Sequence, residues 1–268
     1  MISKNQISRI RSLHQKKYRD ELNLFIAEGE KVVSELISSD IKIHSIYATE
    51  QFDNLMMSRF DDVTAIGKLS NYQIIKSSNR VEIIKEEELK KISALTTPQG
   101  VLAVAEMPKP LLVSEINTNQ LFLVLDEIKD PGNLGTIIRI ADWFGFQDVV
   151  CSENSADAFS PKVVQAAMGS LFRINILYTD LSSFLKEVAA DEKLPVYGSL
   201  LDAENIYKAK LKNRGCIVIG NESKGISVAL LPFITDKISI PSFTKGKIDS
   251  LNAAMAAAIV CSEFRRRG

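Results

Sequence analysis

The chain has 268 residues, 46% of them hydrophobic and 25% charged, with equal numbers of basic and acidic side chains. This composition is typical of a globular protein of one or two domains, and its most apolar stretch, 253–261, is too short to span a membrane. Two histidines and three widely spaced cysteines argue against a zinc site or a disulfide framework, and the start lacks the apolar core of a signal peptide, so we expect a cytoplasmic protein without a bound metal.

The first hundred residues alternate between helical and strand-like patterns. Ile7, Ile10 and Leu13 recur at helical spacing. Strands are predicted at 24–29, 41–49 and 100–107, and helices at 30–38 and 89–97, the second of which stops before Pro98.

Residues 1–19 contain six basic side chains and no acidic one. Such a cluster favours phosphate backbones, because binding there releases condensed counterions. The candidate RNA contacts are Arg9, Arg11, Lys16, Lys17 and Arg19. The alternative is a solvated helix face, and the zero net charge of the chain is weak evidence against a nucleic-acid partner.

A change of composition at 108–120, with two prolines followed by polar residues, predicts a linker. It divides the chain into a first domain at 1–107 and a second domain at 121–268.

The second domain alternates strands with helices, which predicts an α/β fold with a parallel sheet covered on both faces. Its first strand, 121–126, is a continuous apolar run that ends in a carboxylate. Further strands are predicted at 148–153, 172–178, 195–201, 215–221 and 236–241. Helices are predicted at 134–144, at 161–168 with Ser160 as its cap, at 181–190, at 227–233 and at 250–266.

Two of these helices carry further expectations. The helix at 134–144 has an inner stripe of Leu134, Ile137, Ile138 and Ala141 and stops at Gly145. The last helix is apolar on all sides, so we expect it to be buried, partly in a subunit interface.

Three segments place polar side chains at the predicted carboxyl edge of the sheet, where open α/β folds bind ligands. In 126–146 a Pro–Gly turn leads to Asn133 at a helix entrance, followed by Arg139. In 217–227 a buried strand ends in Gly220, Asn221 and Glu222, where glycine permits a close approach of backbone to ligand.

The third segment, 238–260, starts the last helix. Ser250 is its predicted N-cap, with Leu251 and Asn252 in the first turn, where unpaired backbone N–H groups hold polar ligand atoms. Each of the three segments by itself is also typical of ordinary capping and turn chemistry.

Taken together, the order N-x5-R, GNE-x2-G and IP…G-x3-SLN resembles the three motifs of the SpoU (TrmH) family of RNA ribose methyltransferases. The residues that carry the resemblance are Asn133, Arg139, Gly220, Asn221, Glu222, Gly225, Ile240, Pro241, Gly246, Ser250, Leu251 and Asn252. Segments 25–36 and 90–104 are similar to the substrate-binding domain, itself similar to ribosomal protein L30e, that precedes the catalytic domain in many members. One departure is IPSFTKG at 240–246, two residues longer than the family's usual loop and without its methionine.

The resemblance implies a catalytic domain with a trefoil knot and a homodimer formed through that domain. It implies S-adenosylmethionine as the cofactor, bound through Leu200, Gly220, Asn221, Ile240 and Leu251. The absence of a G-x-G-x-x-G fingerprint agrees with this, because the knot loops replace an ordinary dinucleotide site.

The implied reaction is methylation of a ribose 2′-hydroxyl, with Asn133, Arg139, Glu222, Ser250 and Asn252 as catalytic residues. The family assigns the general base to Arg139. Because guanidine has a reference pKa of about 12.5, an alternative is that Arg139 stays charged, grips a phosphate and stabilises the developing alkoxide.

The resemblance favours ribosomal RNA as the substrate over transfer RNA, because the first domain is similar to that of ribosomal RNA modifiers. Two rival functions are a non-catalytic RNA-binding member of the family and a nucleotide-dependent oxidoreductase. The joint presence of the five catalytic residues argues against the first rival, and the missing glycine fingerprint argues against the second.

Overall fold

The computed structural model describes residues 2–58, 80–191, 194–243 and 250–266. The chain forms two compact units, Met1–Lys109 with Phe159–Phe172, and Pro110–Ala158 with Arg173–Gly268. The path of the chain thus leaves the second unit after Ala158 and returns to it at Arg173. No pattern in the sequence predicts that residues 159–172 belong to the first unit.

The first unit has a four-stranded mixed sheet in the order β1–β4–β2–β3, in which β2 and β3 are parallel and the other pairs antiparallel. Its strands are β1 Leu24–Glu28, β2 Ile43–Ala48, β3 Val81–Ile83 and β4 Val101–Glu106. Its helices are α1 Lys4–Ser12, α2 Lys16–Leu22, α3 Glu30–Ile37, α4 Glu50–Ser58 and α5 Glu86–Ile92. The predicted strands in this half are confirmed, and Ile10 and Leu13 of the first helical pattern are buried.

The predicted helix at 89–97 is wrong in its second half, because the helix ends at Ile92 and Ser93 is extended. The buried carboxylate of Glu28 explains this end. It accepts hydrogen bonds from the Ser93 hydroxyl and from the Ala94 N–H, the latter at 2.8 Å. A carboxylate at this depth needs such donors, so the chain leaves the helix to supply them.

The segment 159–172 packs on β1 of the first unit. The ring of Phe25, which is fully buried, lies 5.2 Å from the ring of Phe159 and 6.1 Å from the ring of Phe172. Between these two phenylalanines runs α6 Pro161–Ala167. As predicted, Ser160 occupies the N-cap position of this helix and Pro161 opens it with its fixed φ, but the Ser160 side chain makes no capping hydrogen bond.

The second unit contains six parallel strands in the order β10–β8–β9–β5–β6–β7, which confirms the α/β fold class. The strands are β5 Leu121–Leu125, β6 Asp148–Ser152, β7 Asn175–Thr179, β8 Val196–Asn205, β9 Gly215–Ile219 and β10 Asp236–Ser239. The helices are α7 Pro131–Trp143, α8 Leu181–Ala189 and α9 Ala253–Arg266.

The helix α7 follows its predicted stripe, since Leu134, Ile137, Ile138 and Ala141 are all buried. It starts three residues earlier than predicted because the Asp130 carboxylate accepts the N–H of Asn133 at 2.8 Å. Gly145 ends the helical region with φ of +68°, as a glycine stop requires.

Two other predicted helices differ. Residues 228–233 form a 3-10 helix rather than an α-helix, because Pro232 lies within it and cannot donate a backbone hydrogen bond. The last helix is not buried on every side, since Met255 on α9 is 62% exposed.

The predicted linker 108–120 is partly structured. Val113–Glu115 form a short 3-10 helix, and Ile116 is buried in the core of the second unit. The N–H of Asn117 also donates to the carboxylate of Asp148 at 3.1 Å. The last residues of the linker therefore belong to the packing of the second unit.

Among the described helices of the chain, no helix has the length and apolarity needed to cross a bilayer.

Candidate active site

A cavity of about 520 Å³ opens at the carboxyl edge of the parallel sheet in the second unit. Its walls come from the middle of β8, the end of β9 and the loop after it, β10 and the residue after it, and the start of α9. The lining includes every residue predicted to bind the cofactor: Leu200, Gly220, Asn221, Ile240 and Leu251. The five residues that the resemblance assigns to the cofactor thus line one cavity, although they come from separate parts of the chain.

Gly220 is required by the packing of the backbone around it. A Cβ at this position would lie 2.5 Å from the carbonyl oxygen of Gly225 and even closer to the backbone nitrogen of Ile226. Asn221 and Gly225 are paired by two backbone hydrogen bonds, at 3.0 and 2.9 Å, which fold this loop tightly. Glycine at 220 thus serves the approach of one backbone segment to another, a reason that differs from the predicted approach to a ligand.

A directional chain of hydrogen bonds joins residues of all three predicted segments. The Asn252 side-chain carbonyl accepts the N–H of Ala254 at 2.9 Å, and its amide donates to Asn133 Oδ1 at 2.9 Å. The Asn133 amide donates in turn to Glu222 Oε1 at 2.6 Å. The chain therefore runs from the N-terminus of α9 to a carboxylate that lines the cavity.

This series of hydrogen bonds is consistent with only one orientation of each asparagine side-chain amide. Glu222 accepts, so Asn133 presents its NH₂ to it and its carbonyl to Asn252. A charge-assisted bond anchors the series at one end and a helix N-terminus anchors it at the other. The residues are 89 and 119 positions apart in sequence, so only the fold brings them together.

Ser250 was predicted to cap the last helix, and this is wrong. Asn252 caps α9, because its side chain accepts the N–H groups of Ala254 and Met255. Consequently Leu251 and Asn252 precede the helix instead of forming its first turn. The Ser250 hydroxyl instead lies 3.5 Å from the backbone oxygen of Glu222, and Ser250 lines the cavity.

Arg139 is exposed on α7 and does not belong to the chain of hydrogen bonds. It lies six residues after Asn133, which is roughly 120° away around a helix of 3.6 residues per turn. The structure thus brings together four of the five predicted catalytic residues and directs the fifth to another face of the same helix.

Several lining residues were missed by sequence reasoning. The charged ones are Asp202, Lys224 and Lys237, and the apolar ones include Ile226 and Leu231. The signal that was available is position, since Asp202 lies two residues after the predicted Leu200 and Lys224 two residues after the predicted Glu222. The predicted Gly246 of the lengthened loop lies outside the described residues.

The predicted RNA contacts near the start of the chain separate into two groups. Arg9, Arg11, Lys16 and Lys17 are exposed. Arg19 is wrong as a phosphate contact, because it is only 2% exposed and its guanidinium donates to the carbonyl of Leu13 at 2.7 Å. Its guanidinium links α2 to the end of α1 and does not face a ligand.

The three cysteines carry free, buried thiols. Burial raises the pKa of Cys151 to about 12 and raises the pKa of Cys216 and Cys261 as well. Since the thiolate is the nucleophilic form, these side chains are not suited to covalent catalysis at neutral pH.

Comparison with known proteins matches residues 120–262 to the SpoU rRNA methylase family. The chain belongs to this family. Residues 4–103 match a second model, the MRM3-like substrate binding domain, so the family resemblance inferred from the motifs is confirmed and the first unit carries a substrate-binding domain.

Three similar proteins extend the comparison to the whole chain of this SpoU member. A 23S rRNA (guanosine(2553)-2′-O)-methyltransferase from Bacillus subtilis is 31% identical, over 98% of this chain and 97% of the relative. The mitochondrial rRNA methyltransferase 3A of Danio rerio is 26% identical, over 98% of this chain and 68% of the relative. The crystal structure of an AdoMet-bound rRNA methyltransferase from Sinorhizobium meliloti has a TM-score of 0.79 and 28% identity, covering 100% of this chain and 97% of that one.

The backbone packing at Gly220 leads to a first prediction. Gly220→Ala forces the loop 220–226 apart, so we expect a loss of about 1–3 kcal/mol in the free energy of unfolding. We also expect at least tenfold weaker binding of S-adenosylmethionine, measured by calorimetry. The matched control is Gly132→Ala in the first turn of α7, where the nearest atom to a new Cβ is the Asp130 side-chain oxygen at 3.0 Å. Wild-type affinity in Gly220→Ala would contradict the role given to this glycine.

Proposed function

We propose that this SpoU family member is an S-adenosylmethionine-dependent RNA methyltransferase that methylates a ribose 2′-hydroxyl, with ribosomal RNA as its substrate. The observation that carries the proposal is the series of hydrogen bonds that joins Glu222, which lines the cavity, to Asn133 and Asn252. The names of the Bacillus subtilis and Danio rerio relatives support ribosomal RNA over transfer RNA.

The residues around the cavity fit S-adenosylmethionine. Leu200, Leu231 and Ile240 provide apolar surface for an adenine ring. The charged lining, Asp202, Glu222, Lys224 and Lys237, provides both signs of charge for an amino acid moiety and a sulfonium. The volume of about 520 Å³ is within the range of cofactor sites.

When bound, the cofactor supplies an electrophilic methyl group on a positively charged sulfur. The protein has to position the ribose hydroxyl for attack on this carbon. As the O–CH3 bond forms and the C–S bond breaks, the hydroxyl proton leaves, and in our proposal it passes to water. In our proposal the carboxylate of Glu222, fixed by Asn133, and the hydroxyl of Ser250 orient the ribose and its phosphate at the cavity edge.

Arg139 has two possible roles, and the structure supports the electrostatic one. Arg139 is exposed on α7, where its guanidinium can meet a phosphate of the RNA. We therefore propose that Arg139 binds a phosphate of the RNA and stabilises the developing alkoxide as a cation.

The function is tested by mass-spectrometric mapping of ribose methylation in total RNA from cells with and without the protein. We expect one 2′-O-methyl site to disappear, and to return with the wild-type gene. Arg139→Ala should fail to restore it while still binding S-adenosylmethionine, because the side chain acts on the RNA. Lys186→Ala, which removes an exposed charge on α8, is the matched control and should restore it fully.

The result for Arg139→Lys shows whether the side chain acts through a two-pronged guanidinium–phosphate contact or through its positive charge alone. A two-pronged grip on a phosphate needs the planar guanidinium, so lysine should restore methylation only weakly. Near-full methylation by Arg139→Lys would contradict the grip. A wild-type chain that fails to bind the cofactor would instead favour a non-catalytic RNA-binding role.

We further propose that the exposed basic side chains of Arg9, Arg11, Lys16 and Lys17 contact RNA phosphates. They cluster on α1, α2 and near their ends, in the unit that matches a substrate-binding domain. Their exposure and the absence of acidic residues in 1–19 support a positive surface there.

The salt dependence of RNA binding tests this surface. Reversal of Lys16 and Lys17 to glutamate should weaken binding across RNA sequences and reduce the slope of log K against log salt by about two, roughly one per lost contact. The same double reversal at Lys90 and Lys91, exposed on α5 of the same unit, is the control for net charge. Equal slopes for the two variants would count against a specific basic surface.

We also propose that the chain forms a homodimer through its catalytic unit. The helices α7 and α9 pack against each other, and each exposes a large apolar side chain: Trp143 is 84% and Met255 62% exposed. Arg139 lies four residues before Trp143 and so shares its face of α7. A second copy of the chain would cover this apolar surface and border Arg139.

Trp143→Asp tests the dimer. A charge in a buried interface is costly, so we expect this variant to sediment as a monomer at micromolar concentration where the wild type sediments as a dimer. Val228→Asp is the control, since Val228 is an equally exposed apolar residue of the same unit. An unchanged sedimentation coefficient for Trp143→Asp would place the interface elsewhere.

We propose in addition a trefoil knot in the catalytic unit and a cytoplasmic location. Family membership supports the knot, although residues 244–249 of the relevant region lie outside the described residues. The ribosomal RNA specificity named for the Bacillus subtilis relative supports the location, and the free thiols agree with a reducing compartment. We also propose that residues 1–107 form the domain that binds the RNA and that residues 121–268 form the catalytic domain.

A further inference from the structure

Asp126 is a buried carboxylate that none of the three motifs includes. It follows directly on β5 and is only 3% exposed. Its Oδ2 accepts the backbone N–H of Ser227 at 2.7 Å, and its own N–H donates to the carbonyl of Ile219 at 2.9 Å. Burying a carboxylate is unfavourable unless its hydrogen bonds are made, so the contact to Ser227 is a strong constraint on that backbone.

The next residue, Glu127, has an unusual backbone conformation. Its φ of +51° lies in the left-handed region, which for a residue other than glycine costs of order 1–3 kcal/mol. In this conformation its carbonyl accepts the side-chain amide of Asn221 at 2.8 Å, while its N–H donates to the hydroxyl of Ser152 at 2.9 Å. The strain is compensated by two hydrogen bonds that tie the strand end to its neighbours.

We call the contacts Asp126–Ser227 and Glu127–Asn221 the strand-end clasp. They hold the two ends of the loop between Gly220 and Ser227. All residues of this loop from 220 to 226 line the cavity. Ser227 is also the point at which the loop enters the 3-10 helix that carries Leu231 into the cavity wall.

We propose that Asp126 is a positioning residue for the cofactor, which fixes the Ser227 end of this loop in the arrangement that binds S-adenosylmethionine. The inference rests on the proposed function. Asp126 does not line the cavity, so its effect passes through the backbone of Ser227 and Ile226. A loss of the clasp should therefore affect affinity for the cofactor far more than the rate of the chemical step.

The chain offers a matched control in Asp148, the other buried aspartate described in the second unit. It is 4% exposed and accepts the N–H of Asn117 and the side-chain amide of Asn175, the latter at 2.8 Å. It begins β6, whereas Asp126 follows the end of β5, so the two carboxylates lie at opposite edges of a parallel sheet. Asp148→Asn removes a buried charge at the edge away from the cavity.

The experiment measures the dissociation constant of S-adenosylmethionine by calorimetry, and the melting temperature and kcat at saturating cofactor, for the full chain. For Asp126→Asn we expect about tenfold weaker cofactor binding with kcat within about twofold, because the amide keeps an acceptor but loses the charge-assisted bond. Asp148→Asn should lower the melting temperature similarly and leave the dissociation constant unchanged.

A second variant removes the donor in place of the acceptor. Ser227→Pro deletes the backbone N–H, and the φ of −57° at Ser227 already suits a proline ring. We expect weaker cofactor binding again, and faster amide hydrogen exchange in 220–227 for Asp126→Asn. Asp126→Asn decides the question if Ser227→Pro does not fold.

The outcomes separate this inference from the proposed function. If the wild type binds S-adenosylmethionine and Asp126→Asn binds it with the same dissociation constant, the positioning role is overturned and the proposed function is not. Equal weakening in Asp126→Asn and Asp148→Asn also overturns it, because the effect would then be general destabilisation. A wild-type chain that does not bind S-adenosylmethionine overturns the proposed function, and the positioning role with it.

Discussion

The parallel pairing of β5 with β9 determines where the polar groups of the site can lie. The two strands are in register from Leu121 opposite Gly215 to Leu125 opposite Ile219, and both end at the same level. Two loops therefore start side by side, one toward Asn133 and the other toward Glu222. The 2.6 Å contact between these side chains is a consequence of that register. A slip of one residue would move every side chain of a strand to the other face of the sheet.

The polar groups near the cavity are arranged so that each one limits the orientation of the next. A carboxylate at Glu222 requires a donor from Asn133, which leaves only the carbonyl of Asn133 to receive Asn252. Reversing either amide would set donor against donor or acceptor against acceptor. Such mutual constraint holds a site in one geometry before the substrate arrives, which is what electrostatic catalysis requires.

Much of the catalytic unit could be predicted because local pattern and tertiary structure agree there. The apolar run at 121–125 and the stripe on α7 correspond to strands and helices whose burial the pattern anticipates. The failures have a common cause, namely polar side chains whose hydrogen-bond partner is set by the three-dimensional packing and not by the residue pattern. Ser93 leaves a helix for Glu28, Asn252 replaces Ser250 as a cap, and Arg19 is buried against Leu13. Charge and spacing along a chain do not reveal such partners. The motif order identified the family and most of the lining, but the role of each residue came from three-dimensional contacts.

The segment 159–172 has a consequence for how the chain is made. On the ribosome the strand β1 emerges early, yet the phenylalanines that pack on Phe25 are more than 130 residues further along. The amino-terminal unit is therefore incomplete throughout the synthesis of β5 and β6, and its apolar surface at Phe25 stays uncovered for that time. At roughly 5–20 residues per second, the interval is on the order of ten seconds. A nascent chain of this kind is a natural client for chaperones that bind exposed aromatic surface, and a gene fragment cut at the end of β4 would encode a unit that never acquires its cover.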